Sequence, residues 1–146
     1  MNNKWHKRFL EIAQGVSAWS KDPSTKVGVV IVGNQNQIVS QGFNGFPRGV
    51  DDSNERLVDR ETKYKFVIHA EANAIYNAIH NGSKVEGSTI YVFGLPVCNE
   101  CAKAIIQTGI KKVVYCSEPN PLWEESSLLS KEMFAEAGVE LIKIDI

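Results

Sequence analysis

Two short segments of the sequence constrain the fold more than any other feature, because their side chains suit a single metal ion. His69 offers an imidazole, and Cys98 and Cys101 offer two thiolates at a Cys-x-x-Cys spacing. A structural zinc site normally has four protein ligands, whereas a catalytic site has three and leaves the fourth position to water. The pattern therefore predicts a catalytic zinc site, and the fold must bring the two segments together.

A carboxylate stands beside this predicted site, since Glu71 follows the histidine by two residues. Zinc lowers the pKa of bound water to roughly 7, and a neighbouring carboxylate can carry protons during attack. His-x-Glu followed by Pro-Cys-x-x-Cys is the zinc deaminase signature, in which the glutamate is the acid/base and not a ligand. This sequence departs from it at one point, because Val97 separates Pro96 from Cys98. The ligand spacing is kept, but the turn into the second helix is expected to differ.

Length and composition limit the class of protein. A chain of 146 residues is one ordinary domain, so residues 1–146 are predicted to form a single unit with a core of its own. Hydrophobic content of 43% and charged content of 23% are typical of soluble globular proteins. A formal net charge of −1 gives no general electrostatic reason to bind a long polyanion, so nucleic acid is not an expected partner.

The sequence also predicts a cytoplasmic protein without a membrane segment. No apolar run approaches the roughly 20 residues of a membrane span, and the basic residues near the N-terminus are not followed by the apolar stretch of a signal peptide. Two of the three cysteines are assigned to zinc, which leaves Cys116 alone and argues against a disulfide framework. Cys116 is expected to be a buried apolar residue.

Apolar spacing predicts strands that alternate with helices. An amphipathic helix opens the chain, with two tryptophans, Trp5 and Trp19, expected in the core or an interface. A hairpin is predicted from strands at 27–32 and 38–43, followed by a long polar loop at 44–62. The remaining predicted elements are helices at 69–80 and 98–107, a last helix ending at Gly138, and strands at 89–93, 112–116 and 139–144. This order favours an α/β layered structure whose second half is mainly parallel.

The predicted metal ligands fall at helix starts. His69 and Cys98 each lie in the first turn of a predicted helix, and Cys98 and Cys101 share one face of theirs. Helix N-termini carry partial positive charge, which favours thiolates and a hydroxide on the metal. Backbone N–H groups there are also available to hold a substrate carbonyl.

Beyond the metal segments, three stretches carry a resemblance that runs nearly end to end: 20–28 (SKDPSTKVG), 42–49 (GFNGFPRG) and 98–103 (CNECAK). With them the chain resembles the deoxycytidylate (dCMP) deaminases of the zinc-dependent cytidine deaminase superfamily. The resemblance implies a three-layer cytidine-deaminase-like fold, α/β, in which a five-stranded mixed sheet carries helices on both faces. It implies hydrolysis of dCMP to dUMP and ammonia, a step that supplies dUMP for thymidylate synthesis.

The resemblance also assigns substrate contacts. Asn44 matches the asparagine that binds the substrate sugar; the alternative is a turn residue with left-handed backbone conformation. Ser24, Thr25 and Lys26 are expected to cradle the 5′-phosphate, or else to connect a helix to a strand with local hydrogen bonds only. The expected substrate-binding set is completed by Ala70 and by Tyr115, which is otherwise a core residue of its strand.

Regulation is a further implication of the resemblance. Many dCMP deaminases are homohexamers activated by dCTP and inhibited by dTTP, with Mg²⁺ on the triphosphate. Gly45 and Arg48 are the expected effector residues, because glycine lets backbone N–H groups approach phosphate and arginine offers a planar charged fork. The alternative for Arg48 is an ordinary exposed side chain.

Two other functions remain open from the sequence. A tRNA adenosine deaminase would use the same zinc centre, but it is expected to carry a basic surface, and 16 Lys and Arg against 17 Asp and Glu give none. A non-catalytic zinc-binding module is disfavoured by Glu71, because a structural site has no use for an acid/base. His6 and His80 are expected at the surface rather than as ligands of a second metal.

Overall fold

The sheet combines an antiparallel hairpin with parallel strands. In the computed structural model, which describes residues 3–146, the strands occur in the spatial order β2-β1-β3-β4-β5. Strand β1 is antiparallel to both β2 and β3, whereas β3, β4 and β5 run parallel. The strands are β1 (Gly28–Val32), β2 (Ile38–Phe43), β3 (Thr89–Phe93), β4 (Lys112–Tyr115) and β5 (Glu140–Lys143). The predicted five-stranded mixed sheet is confirmed.

Helices cover both faces of this sheet. One core lies under α1, where Phe9 and Leu10 pack against Val30 and Val114; the other lies under α4, α5 and α6. The helices are α1 (Lys4–Ser17), α2 (Asn54–Val58), α3 (Arg60–Phe66), α4 (Ala70–His80), α5 (Asn99–Gln107) and α6 (Glu124–Ala137), with a 3₁₀ turn at Pro121–Trp123. The predicted three-layer arrangement is therefore confirmed.

Strand β1 lies at the centre of the molecule because its sequence is apolar on both faces. All five of its residues are buried, since α1 covers one side and α4 the other. Uninterrupted apolar runs are typical of strands buried on both faces. The outer strand β5 is half-buried or exposed at every position.

A close contact between strand β2 and helix α4 fixes the start of the helix that follows His69. The absent side chain of Gly42 makes this possible, because a Cβ atom there would lie 2.4 Å from the backbone nitrogen of Ala74 and 2.7 Å from the carbonyl oxygen of Ala70. Real Cβ atoms do not approach backbone atoms so closely, so any side chain at this position must push the helix away from the sheet.

We expect Gly42→Ala to destabilise the protein by about 1–3 kcal/mol, the usual penalty for overpacking a close-packed interior. The matched control is Gly15→Ala, because Gly15 lies exposed on α1 with nothing within 4 Å of a built Cβ atom. That substitution should stabilise the protein by roughly 0.5–1 kcal/mol through helix propensity. Urea unfolding of both variants measures the difference, and equal midpoints would contradict the close approach.

The predicted loop at 44–62 is wrong in its second half. Residues from Asn54 onward form α2 and α3, which continue to Phe66. Helices of five and seven residues are too short to show an apolar period, and Leu57 is the only buried apolar residue in either of them. Tertiary contacts stabilise them instead, including the ring of Phe66 packed 5.5 Å from that of Phe46.

Several side chains near α1 also differ from expectation. His6 is buried, with 9% of its surface exposed, and its Nδ1 lies 2.8 Å from the hydroxyl of Tyr91, so the predicted surface position is wrong. Trp5 and Trp19 are 43% and 59% exposed and lie outside the core. Cys116 is half-buried rather than buried. His80 is exposed, as predicted.

None of the described helices is both long and apolar enough to cross a membrane.

Candidate metal centre and substrate cavity

His69 is placed by a short bridge between two segments that precede helix α4. The backbone N–H of Ile68 donates to the carbonyl of Gly45 at 2.8 Å, and the N–H of Gly45 donates back at 3.1 Å. His69 follows directly as the N-cap residue of α4, in an extended conformation. The imidazole therefore lies where the positive end of the helix dipole faces the predicted metal position.

Helix α6 holds the turn that carries the first cysteine. The hydroxyl of Ser130 donates to the carbonyl of Val97 at 2.9 Å. Ser126 accepts from the backbone N–H of Asn99 at 2.8 Å and donates to the Asn99 side chain at 2.7 Å. The extra residue before Cys98 is thus accommodated by burying Val97, with its carbonyl satisfied, and Cys98 still becomes the N-cap of α5.

The three predicted ligands converge. The Nδ1 atom of His69 lies 3.3 Å from the sulfur of Cys98 and 3.5 Å from that of Cys101. All three ligand atoms lie within 4.8 Å of one another. A tetrahedral zinc with Zn–N of about 2.05 Å and Zn–S of about 2.3 Å separates nitrogen from sulfur by about 3.5 Å. The donor set therefore fits Zn²⁺ in both chemistry and spacing.

The two thiols differ in acidity. A hydrogen bond from Cys101 is the main cause that lowers the pKa of Cys98 to about 4, and the N-cap position adds a backbone N–H at 3.4 Å. The same hydrogen bond, together with burial, raises the pKa of Cys101. Both cysteines must be thiolates to bind a metal, so metal binding is expected to release protons from this pair.

Glu71 lies beside the ligands in the first turn of α4. Its side chain is 4% exposed, and this burial raises the pKa of its carboxyl to about 7, with a further contribution from the Cys98 thiolate. A cation on the three ligands acts in the opposite direction. A carboxyl group with a pKa near neutrality can both accept and donate a proton, which is the property that general acid–base catalysis needs.

A cavity of about 130 Å³ opens beside the metal ligands. An apolar cavity of about 150 Å³ accommodates benzene, so this volume admits a six-membered ring. The ring of Trp123 forms part of the wall, edge-on to the imidazole of His69 with centroids 6.5 Å apart. The other lining residues come from the loop before β1, from the residue after β2, from α3 and the residue after it, from α4, and from the two loops that follow β3 and β4. They are Asp22, Ser24, Thr25, Val27, Asn44, Arg60, Lys63, Tyr64, Val67, Ala70, Glu71, Leu95, Pro96, Cys98, Asn120 and Leu122.

Asn44 connects the loop before β1 to the cavity wall. Its side-chain oxygen accepts from the backbone N–H of Val27 at 2.9 Å, and its nitrogen donates to the carbonyl of Thr25 at 2.9 Å. Asn44 has negative φ, since Asn36 is the only non-glycine residue with positive φ in residues 3–146. The left-handed turn considered as its alternative is therefore wrong.

The structure brings some of the predicted substrate residues to the cavity and leaves others outside. Ser24, Thr25, Asn44 and Ala70 line it. Lys26 does not, because its ammonium group donates to the carbonyl of Ser20.

Tyr115 also lies outside this cavity. It is half-buried and packs against the main core on β4, which corrects the expectation of a substrate contact. The predicted effector residues lie elsewhere as well: Gly45 is in the bridge to Ile68, and exposed Arg48 donates to the side chain of Asn77 at 2.6 Å.

Sequence reasoning missed the contribution of helix α3. Arg60, Lys63, Tyr64 and Val67 line the cavity, and their spacing of three and four residues is that of one helical face. This period is visible in the sequence, but Arg60 falls within the polar loop predicted at 44–62, so the pattern did not indicate a helix there. Asp59, Arg60 and Glu61 are exposed.

Comparison with known proteins agrees with this geometry. The sequence profile described as the cytidine and deoxycytidylate deaminase zinc-binding region matches residues 3–117. An uncharacterised deaminase from the luxG 3′ region of Aliivibrio fischeri is 49% identical over 97% of this chain and 94% of its own length. The mouse deoxycytidylate deaminase is 42% identical over 96% of this chain and 79% of its own.

A solved structure shares the fold over almost its whole length. The dCMP deaminase of the cyanophage S-TIM5, in complex with dCMP and dUMP, covers 99% of both chains with a TM-score of 0.79 and 26% identity. The profile match spans both metal segments, and the side chains of His69, Cys98 and Cys101 converge in this structure. The chain therefore belongs to the family of zinc-binding cytidine and deoxycytidylate deaminases.

Proposed function

We propose that the protein catalyses the hydrolytic deamination of dCMP to dUMP and ammonia. The observation that carries this proposal is a ring-sized cavity whose wall includes two metal ligands and the buried carboxyl of Glu71. The mouse relative is a deoxycytidylate deaminase, and the cyanophage enzyme has been solved with dCMP and dUMP. Both agree with a cytosine nucleotide as the small-molecule substrate.

His69, Cys98 and Cys101 are the proposed ligands of Zn²⁺, which when bound acts as a Lewis acid and makes a water molecule nucleophilic at neutral pH. Three protein ligands, two thiolates and one imidazole, would form the kind of set that catalytic zinc sites use. The N-cap positions of His69 and Cys98 hold these side chains before a metal binds, so little reorganisation is needed.

Glu71 carries the protons in the proposed reaction. Its carboxylate takes a proton from the attacking water and delivers it to N3 of cytosine, while the oxygen forms a bond to C4. The same carboxyl group then moves the second proton of that water to the amino group, the C4–N4 bond breaks, and ammonia leaves. Each step needs one group that accepts and then donates a proton, and the buried carboxyl of Glu71 beside the three proposed ligands is such a group.

Asn44 and Ala70 are the proposed contacts to the nucleoside. The amide of Asn44 is held at the cavity wall, because its oxygen accepts from Val27 and its nitrogen donates to Thr25 and Asp22. The second lone pair of that oxygen is the proposed acceptor for a hydroxyl of the sugar. Ala70 is fully buried in the first turn of α4, where backbone N–H groups have no partner within the helix. Its N–H is the proposed donor to the carbonyl of the base.

The competing functions make different demands on the molecule. A tRNA adenosine deaminase needs a basic surface for the RNA backbone, and the net charge of −1 does not provide one. A non-catalytic zinc module has no use for a carboxyl buried beside three metal ligands.

An assay of three substrates separates these functions. We expect zinc-loaded protein to convert dCMP to dUMP with a much higher kcat/KM than deoxycytidine, and to leave an adenosine-containing tRNA stem-loop unchanged. Loss of absorbance and chromatography of the products measure the rates. Turnover of the stem-loop would favour the tRNA deaminase, and no turnover of any substrate would favour the non-catalytic module.

Regulation and assembly complete the proposal. We propose a homohexamer of one deaminase domain per chain, residues 1–146, acting in the cytoplasm, activated by dCTP and inhibited by dTTP with Mg²⁺ on the triphosphate. Gly45 supports the proposed regulation by dCTP and dTTP, because its bridge to Ile68 links the proposed effector loop to the residue before His69. Adding dCTP and Mg²⁺ to the dCMP assay, for the parent and for Arg48→Ala, tests both the regulation and the residue.

A further inference from the structure

One face of helix α3 turns polar and cationic groups toward the cavity. Arg60, Lys63 and Tyr64 follow a spacing of three and four residues, and they line the cavity wall together with Val67, which directly follows the helix. The opposite face is solvated, because Lys65 and Glu61 form an ion pair there with both side chains largely exposed. The helix therefore divides its charges between the cavity and the solvent.

Lys63 is an unusual residue to find at this wall, because it is buried while charged. Its side chain is 8% exposed, and its ammonium group lies 3.2 Å from a carboxylate oxygen of Asp22 and 2.8 Å from the hydroxyl of Ser24. An ammonium group has three N–H donors. Two are used by these partners, and the third makes no hydrogen bond among the described residues, although Nζ also lies 5.5 Å from the centroid of the Tyr64 ring.

Asp22 is already satisfied by other groups. Burial acts to raise the pKa of this carboxyl, but hydrogen bonds from the backbone N–H groups of Ser24 and Thr25, and from the side chains of Ser24 and Lys63, lower it below its usual range. The carboxylate thus fixes the turn that presents Ser24 and Thr25. Because this carboxylate accepts hydrogen bonds from several donors, it uses only one of the N–H donors of Lys63.

Two further groups beside Lys63 have no partner. Arg60 lies one helical turn away with an exposed guanidinium that makes no ion pair or hydrogen bond within the described part of the chain. The hydroxyl of Thr25 lines the same cavity and, over residues 3–146, is likewise without a hydrogen bond. An arginine fork, an ammonium donor and a hydroxyl are the groups that proteins use for phosphate oxygens.

We propose that Arg60 and Lys63 of α3, with the hydroxyl of Thr25, bind the phosphate group of the substrate and make the enzyme select a nucleotide over a nucleoside. This inference rests on the proposed deaminase function. It moves the cationic part of the phosphate site from Lys26, which lies outside the cavity, to a helix that precedes the metal ligands in the chain.

The length of α3 agrees with this arrangement. Val67, the extended residue that ends α3, is two residues before His69, and the helix begins at Arg60. At a rise of 1.5 Å per residue, the seven residues of α3 span roughly 10 Å. Glu71, Lys63 and Arg60 line one cavity, so we infer that a nucleotide with its base ring beside Glu71 has its phosphate beside Lys63 and Arg60.

The test compares Arg60→Gln with Lys65→Gln, which removes a positive charge from the solvated face of the same helix. Steady-state kinetics are measured for zinc-loaded proteins with dCMP and with deoxycytidine. We expect Arg60→Gln to lower kcat/KM for dCMP by roughly 10- to 100-fold, mainly through KM, and to leave deoxycytidine unaffected. Lys65→Gln should change neither substrate. Arg60→Gln is not expected to disturb folding, because the side chain has no partner to lose.

Lys63→Gln provides the second measurement where the variant folds, and its dCMP to deoxycytidine ratio should fall in the same direction. Equal effects of Arg60→Gln on both substrates, or no effect on dCMP, would overturn the phosphate site while leaving dCMP deamination intact. A parent protein that turns over no dCMP would instead overturn the proposed function. The two failures are therefore distinguishable.

Discussion

Replacing Glu71 with glutamine is expected to abolish nearly all deaminase activity while the metal stays bound. Glutamine has almost the same shape, but its amide cannot take a proton from water or pass one to the substrate. Positioned acid–base catalysis contributes roughly 10²–10⁴-fold, and here one carboxyl group serves several successive proton transfers. We therefore expect kcat to fall by at least that factor.

The control measurements distinguish lost chemistry from lost structure. Zinc content and thermal midpoint should match those of the parent, because Glu71 is not among the three ligand residues and a neutral amide is easier to bury than a carboxylate. Glu132→Gln, an exposed change on α6, should leave the rate unaltered. A Glu71→Gln protein that loses zinc, or that keeps near-normal activity, would remove Glu71 from the role proposed here.

The sequence was sufficient to predict those strands and metal-binding segments whose structure depends mainly on neighbouring residues. The hairpin strand β2 and strand β3 occur at the predicted bounds, because alternating or continuous apolar runs between turn residues leave few alternatives. The two metal segments were predictable for a similar reason. A histidine, two cysteines and a glutamate at fixed short spacings allow one chemistry, whatever fold brings them together.

The proposed phosphate end of the cavity could not be predicted in the same way. Ser24 and Thr25 line the cavity, but the nearest cation in sequence, Lys26, donates to the carbonyl of Ser20. The cation that faces the cavity, Lys63, reaches Asp22 across a tertiary contact that no local pattern contains. Charges that pair across the fold are visible only once helix α3 is packed against the loop before β1.

The aromatic wall was missed for a related reason. Trp123 ends a single 3₁₀ turn that begins with Pro121, within a segment that has no apolar period. Its position opposite His69 depends on where α6 begins and on the hydrogen bonds of Ser126 and Asn99. Side chains on such short turns are placed by the elements that flank them, so the sequence of the turn alone does not identify them.

Removal of a metal ligand should have the second large effect, this time on metal content and stability together. We expect Cys101→Ala to purify without stoichiometric zinc, to show no measurable deamination, and to unfold at a lower temperature than the parent. Changing an outer-shell group alone lowers metal affinity by 10- to 100-fold. The loss of a direct ligand should exceed about 100-fold, because only an imidazole and one thiolate then remain.

Cys116→Ala is the matched control for that experiment. Cys116 is the third cysteine of the chain, half-buried at the end of β4 and outside the group of ligands. The variant should keep its zinc and its activity.

Treating the parent with a chelator should reproduce the loss of activity, and added zinc should restore it. Added zinc should not restore the activity of Cys101→Ala. Metal analysis decides the matter: one equivalent of zinc retained by Cys101→Ala would contradict the ligand assignment, since metal binding and folding are coupled through the same three side chains.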